Sequence, residues 1–273
     1  MSWLWWAGIV AGVWFSFRYA WWRPALSYRH PRILMYHMVS EHRKGAKFNG
    51  LRVRPSRFEA QLAYLSRNGW QFFTVSELWR QWDALPEKSV AITFDDGYAD
   101  NLHNALPLLE KYDAKATIYM VVDRHDRDWS THKKAHHDSG ELARERKLTD
   151  DEVLQLVRSG RIEIASHTLT HINMPATPAE SKRHELVAAH EQLASLTGQP
   201  VRSFAYPFGI FGDDDVQLVA DCGYETAVTT IDGIDLREPR PHPLRLKRIK
   251  VSGKDNQLAF IMRVRGGKRG LAK

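Results

Sequence analysis

The stretch Ser89-Val90-Ala91-Ile92-Thr93-Phe94-Asp95-Asp96-Gly97 is an apolar, β-branched run that stops on two carboxylates and a glycine. Residues 89–94 predict a strand buried on both faces, and such strands belong to parallel sheets covered by helices. The flanking sequence agrees. Downstream, Leu102, Leu106 and Leu109 mark a helix, and residues 116–122 form the next strand. Upstream, residues 32–36 are a short apolar strand, and Pro55 opens a helix that closes at Gly69. Residues 71–75 then form a strand and 76–82 a helical turn. Further strands are expected at 161–165, 201–205, 225–229 and 246–251, with helices near 150–159, 178–196 and 213–222. Strand and helix alternate without a Pro/Gly/Ser linker, so one α/β domain over about residues 30–255 is expected. Seven or eight such units favour a closed barrel over an open sheet.

The chain has 273 residues, and 39 Lys+Arg against 32 Asp+Glu leave a net charge of +7. With 43% hydrophobic and 26% charged residues, wholesale disorder, collagen-like repeats and a polytopic membrane protein are excluded. The single cysteine, Cys222, excludes an intramolecular disulfide and any multi-thiolate zinc site, so metal chemistry must rest on His and carboxylates. No motif interleaves aromatic and basic residues, and no nucleic-acid partner is expected. Two stretches break the strand–helix rhythm. Residues 123–147, rich in His and Arg, form either a mobile insertion or a lid over a site, and 256–273 is expected to be a basic tail whose end, 263–273, is frayed.

The amino terminus is different in character. Trp3, Trp5, Trp6, Trp14, Trp21 and Trp22 are six of the ten tryptophans, and Arg18 alone is charged between Trp3 and Trp22. Roughly 20 residues rising ~1.5 Å each would span a bilayer core of about 30 Å, so residues 1–24 are expected to be a transmembrane anchor. A cleaved signal peptide is the alternative, although no Lys or Arg precedes the apolar run and no small-x-small site follows it. Arg18, Arg23, Arg29 and Arg32 lie at or after its end, which by the positive-inside rule puts the body on the cytoplasmic side. The same charges could hold the domain against anionic headgroups, or simply be solvated.

Polar residues at the carboxyl ends of parallel strands are functional candidates, because those ends form the concave face. Asp95-Asp96 is one such pair; burying two carboxylates calls for a metal or an Arg, unless Asp95-Asp96-Gly97 is only a turn. Ser166-His167-Thr168-Leu169-Thr170-His171 is a second, with two imidazoles spaced to reach one side of a turn. Asp96, His167 and His171 would make a two-His, one-carboxylate set with open positions. The third is Arg202-Ser203-Phe204-Ala205-Tyr206-Pro207-Phe208-Gly209. An Arg there can lock a carboxylate, and the Pro-Phe-Gly corner can offer a backbone N–H as an oxyanion donor, or merely close a strand.

In this order the clusters resemble the NodB-type polysaccharide deacetylases, carbohydrate esterase family four, over about residues 33–251. The resemblance implies a distorted (β/α)7 barrel and a metal-dependent amide hydrolase. It makes Asp95 the general base, with Asp96, His167 and His171 as ligands of one divalent ion. Zinc is the first expectation, and the same ligands accept cobalt, nickel or iron. Arg202 would orient Asp95, and the Phe208 N–H would serve the oxyanion with Tyr206 and Pro207 beside the substrate.

One departure from the family pattern matters. Most members place the general-acid His near the last strand, whereas this chain has Leu246-Lys247-Arg248-Ile249-Lys250-Val251. Instead, Ile33-Leu34-Met35-Tyr36-His37-Met38-Val39 resembles the first strand of the permuted poly-N-acetylglucosamine deacetylase branch, which makes His37 the acid. His242 is the reserve, Asp232 or Asp235 the acidic partner, and a structural His bonded to backbone the alternative. The implied substrate is an N-acetylhexosamine in a polysaccharide or lipid-linked glycan. A deformylase of a lipid-linked formamido sugar and a non-catalytic carbohydrate-binding protein are the rivals. An exported polysaccharide would put the domain on the periplasmic face of a bacterial-type inner membrane, against the side the arginines favour. His125, His132, His136 and His137 in the insertion are expected to be solvated.

Overall fold

The computed structural model describes residues 2–129 and 139–267. Ten strands run β1 (Arg32–Tyr36), β2 (Met38–Val39), β3 (Arg52–Val53), β4 (Gln71–Phe73), β5 (Ser89–Asp95), β6 (Ala116–Met120), β7 (Ile162–Ser166), β8 (Ser203–Ala205), β9 (Thr226–Asp232) and β10 (Leu246–Lys250). Every named pairing is parallel, in the order β1-β10-β9-β8-β7-β6-β5-β4, and β1 pairs with β5 as well as β10. That double pairing closes seven strands into a barrel, while the short β4 extends the lower edge of β5. The circle is uneven: β7 and β8 meet in register at Ser166↔Phe204, and the β9–β10 register shifts between Leu246 and Arg248.

Side-chain period two then sorts the barrel. Ile33, Ala91, Tyr119, Ala165, Ala205, Val228 and Leu246, one from each barrel strand, pack inside with Val75, Leu78 and Trp82 plugging the lower end. Their strand neighbours Leu34, Ile92, Ile118, Ile164, Phe204, Ala227 and Ile249 face the surrounding helices. Helices Pro55–Arg67, Asp150–Arg158 and Asp213–Asp221 lay Phe58, Leu62, Val153, Leu156, Val216 and Val219 on that outer face. Thr74 and Thr149 cap their helices with reciprocal Glu77 and Glu152 bonds, so the boundaries follow local chemistry.

Two expectations about the ends need correction. Among the described residues no helix is long and apolar enough to cross a membrane. The helix Ser2–Tyr19 ends at Ala20, which has φ 43°, so Trp21 and Trp22 lie outside it. Its tryptophans carry a polar ring N–H suited to an interface rather than to hydrocarbon, and Arg18 sits in its last turn. Tyr19 is instead buried on the domain, accepting a hydrogen bond from Asn256 Nδ2 at 2.8 Å. Nor does the described part of the tail fray: Gln257–Gly266 is a helix with Phe260 and Val264 buried, and the Val264 carbonyl accepts from the fully buried Arg32 Nε at 2.8 Å.

Candidate active site

The parity that fills the barrel also builds its upper rim. Asp95 shares the inward face of β5 with Ala91 and Thr93, and His167 continues the inward face of β7 one residue beyond its end. Asp96 follows Asp95 with φ 77°, and Thr168, His171 and Phe208 likewise have φ 69°, 57° and 58°. Four left-handed non-glycine residues around one cleft mark backbone held in an unfavourable region to aim side chains. Gly97 is required where it stands, because a Cβ there would meet Met120 Cε at 2.8 Å with φ already +73°.

Asp96, His167 and His171 converge. Their ligand atoms lie within 4.8 Å of one another, and among the described residues theirs is the one group of three that could hold a metal ion. Asp96 Oδ1 is 3.6 Å from His167 Nε2 and 3.4 Å from His171 Nε2. His167 Nδ1–H donates to the Ala205 carbonyl at 2.7 Å, which fixes the tautomer and leaves the Nε2 lone pair facing the acid. Burial, then the neighbouring His171, push the His167 pKa down to about 4, so the ring is a neutral ligand near neutrality. Burial raises the Asp96 carboxyl, but bonding to His171 and the charges of His171, His37 and His167 outweigh it, and Asp96 stays ionised. A buried carboxylate facing two imidazoles fits a divalent cation well.

Asp95 is held by a different arginine from the one expected. Arg248 on β10, fully buried, donates from Nη1 to Asp95 Oδ1 at 2.6 Å and from Nη2 to Oδ2 at 2.8 Å. Its remaining donors reach Thr93 Oγ1 at 3.1 Å and the Thr229 carbonyl at 2.8 Å. Burial pushes the Asp95 carboxyl up, the Arg248 charge and hydrogen bonds pull it down further, and it ends below the usual range. Arg202 instead pairs with Glu225 at the surface. It precedes β8, so it sits at the lower end of the barrel beside Gln199 and Thr74, and its strand parity faces away from the interior. The signal for Arg248 was present in sequence, as an arginine inside an otherwise strand-like segment with the parity of Leu246.

These groups open into a cleft of about 350 Å³ lined also by His37, Met35, Phe48, Leu51, Trp129, Leu142, Tyr206, Phe208, Thr230 and Lys250. His37 lies just past β1 and contributes to the field that lowers both carboxyls. Tyr206 donates to the Leu244 carbonyl at 3.1 Å and stacks on Phe211, while Phe208 sets its ring edge-on to His171 at 4.4 Å. Pro207 starts the short helix Pro207–Gly209 between them and is buried. His242 caps its own turn, accepting from Leu244 N at 3.2 Å, and is not among the cleft residues. Asp232 accepts the Lys250 N–H and Asp235 the Lys247 N–H, so neither candidate partner is committed to His37.

The described flanks of the 123–147 insertion wall this cleft. Trp129 stacks on His171 at 4.9 Å, and buried Lys147 lies over the Trp129 ring at 4.8 Å and the Tyr98 ring at 4.5 Å. Arg52, wholly buried, pairs with Glu141 at 2.7 Å and Glu145 at 2.6 Å, clamping Leu142 at the rim. Of the insertion's histidines His125 is exposed, while His132, His136 and His137 lie outside the described residues.

Comparison with known proteins agrees with this geometry. The family profile described as Polysaccharide deacetylase matches residues 83–227. YxkH of Bacillus subtilis, named after that family, is 31% identical over 223 residues, covering 81% of this chain and 71% of that protein. The poly-beta-1,6-N-acetyl-D-glucosamine N-deacetylase of Staphylococcus aureus is 23% identical over 63% of this chain and 58% of its own length. The Streptococcus pyogenes deacetylase PplD, solved in complex with acetate, superposes with a TM-score of 0.71 at 25% identity, covering 86% of this chain and 98% of that one.

Proposed function

As this chain belongs to the polysaccharide deacetylase family, whose members hydrolyse C–N bonds other than peptide bonds, we propose that it removes the acetyl group from N-acetylhexosamine units of a glycan with the help of one divalent ion. The observation that carries this reading is the meeting of a closed-off Asp95–Arg248 pair and a two-His, one-carboxylate set in a single cleft. Asp96, His167 and His171 would hold the ion. When bound, it supplies a Lewis acid for the acyl oxygen and lowers the pKa of a water; this ligand type suits zinc, and accepts cobalt, nickel or iron.

The chain's own groups perform the proton transfers. Asp95 is kept ionised by Arg248 and takes a proton as water oxygen adds to the acyl carbon. Two bonds from Arg248 fix the carboxylate plane, so its basicity and direction are set before substrate arrives. His37, on the same cleft, gives a proton to the nitrogen as the C–N bond breaks, leaving a carboxylic acid and a free amine. The positive-φ turn at Phe208 is suited to present its N–H to the developing oxyanion, with Tyr206 and Pro207 bracing it. Apolar Trp129, Leu142, Leu51 and Phe48 form walls on which a sugar face can rest.

Two relatives bear on the substrate: one is named for a poly-N-acetylglucosamine, the other holds acetate. A lipid-linked saccharide presents the same acetamide. The test is an assay of metal-stripped and zinc-reconstituted protein on N-acetylglucosamine oligomers, measuring acetate, formate and new amine. Equal acetate and amine, abolished by stripping and restored by zinc, is the expected result. Formate release from a formamido sugar with no acetate from any acetamide would replace the acyl assignment, and a silent panel would return the chain to a binding role.

A further inference from the structure

We infer that Lys250 makes the cleft selective for an amino sugar carrying an anionic group, a carboxylate or a phosphate, close to the amide; this rests on the deacetylase reading for its site. Lys250 ends β10 with the inward parity of Leu246 and Arg248, and it is in register with Met35, two residues before His37. It lines the cleft together with Met35, His37 and Thr230, and among the described residues lining it Lys250 is the one Lys or Arg. Its place is therefore on the wall shared with His37, where the sugar nitrogen and its neighbouring substituents would lie.

Among the described residues the other cations near the cleft already have partners. Arg248 is bound to Asp95, Arg43 and Arg52 to Glu145, and Lys247 to Asp235. Lys147 Nζ donates to the Leu142 and Glu145 carbonyls. The acids beside Lys250 are taken too. Asp232 accepts the Lys250 backbone N–H at 3.0 Å and faces Arg263 Nη1 at 3.5 Å, while Asp235 accepts the Lys247 N–H at 2.7 Å. Among the described residues the Lys250 ammonium meets no carboxylate and no carbonyl, although the residue is partly buried. A partly desolvated ammonium beside apolar walls is costly unless a ligand brings the opposite charge. A neutral glycan would offer it hydroxyls alone, whereas an anionic oxygen repays the desolvation and discriminates between substrates.

The experiment measures binding of three probes to the zinc-loaded protein by calorimetry: N-acetylglucosamine 1-phosphate, a disaccharide of N-acetylglucosamine and glucuronic acid, and neutral diacetylchitobiose. The wild type is expected to bind one anionic probe at least about tenfold more tightly than the neutral one, and which probe wins tells phosphate from carboxylate. In Lys250→Gln that ratio should collapse towards one, and Lys250→Arg should restore most of it. Equal affinity for all three probes in the wild type overturns the inference, as does a K250Q variant that weakens all three alike. A K250Q shift of the pH profile on the neutral sugar, with the anionic ratio intact, overturns it too, because Lys250 would then act through His37. Discrimination that persists while no probe loses acetate leaves this assignment standing and removes the deacetylase reading instead.

Discussion

Replacing Arg248 by Met removes one partner of a fully buried ion pair and leaves Asp95 carboxylate without its two bonds of 2.6 and 2.8 Å. Stranding a buried charge in this way costs about 3–5 kcal/mol, a large share of the roughly 5–15 kcal/mol that holds a domain folded. Burial is then opposed only by the weaker pull of His37 and His167, so the Asp95 carboxyl rises out of the low range it now occupies and less of it is ionised. A general base is worth about 10²–10⁴ in rate, so acetate release at pH 7 should fall by that order and the acidic limb of the pH–rate profile should move to higher pH. The double variant Arg248→Met/Asp95→Asn carries neither charge and should regain much of the lost stability in urea unfolding, since removing both members of such a pair is far cheaper than removing one. Arg202→Met is the control. Its ion pair with Glu225 is about two-fifths exposed on each side, so the loss should stay under about 1 kcal/mol with turnover near wild type. The reasoning is refuted if the Arg202 variant loses turnover and the Arg248 variant keeps both its rate and its pH profile.

His171→Ala should lose bound metal in elemental analysis of the purified protein, whereas Asp95→Asn should keep the metal and lose turnover; metal loss in Asp95→Asn would place that carboxylate among the ligands. Gly209 has φ +67°, and a Cβ there would meet Thr230 Oγ1 at 1.9 Å, so Gly209→Ala should destabilise the fold by about 1–3 kcal/mol in urea unfolding, and an unchanged midpoint would contradict the packing. Asp100 is pushed up to about 6, chiefly by burial, against an unfolded value of ~4. Between those values the folded chain holds the extra proton, so wild-type stability relative to Asp100→Asn should fall as pH rises from about 4 to about 6. A difference that is flat across that window would show that the acid is not burdened by burial.

Much of the architecture could be read along the chain, because barrel strands buried on both faces announce themselves locally. The expected strand at 32–36 coincides with β1, and those at 89–94, 116–122, 161–165 and 246–251 match their observed counterparts within two residues at each end. The metal-ligand candidates were equally visible, since Asp96, His167 and His171 stand at strand ends whose spacing places them on one rim. Three features differ between the sequence reading and the structure. The family resemblance pairs Asp95 with Arg202, but the chain enters the barrel there from the lower end, facing outward. Arg248 stands where the family pattern has a histidine, and its parity with Leu246 points it at Asp95. The amino-terminal segment reads as a membrane span by its length and its single charge, whereas among the described residues no helix is long and apolar enough to cross a membrane.

Alternation, turn chemistry and helix caps act over a few residues, so composition and spacing sufficed for most of the strands and for the three residues that could hold a metal ion. Which cation meets which carboxylate across the barrel depends on closure: β1 joins both β5 and β10, and that closure carries Arg248 to Asp95 across 153 positions of chain and sets Lys250 beside Met35 and His37. Such pairing is a matter of register between distant strands, and register has no local signature.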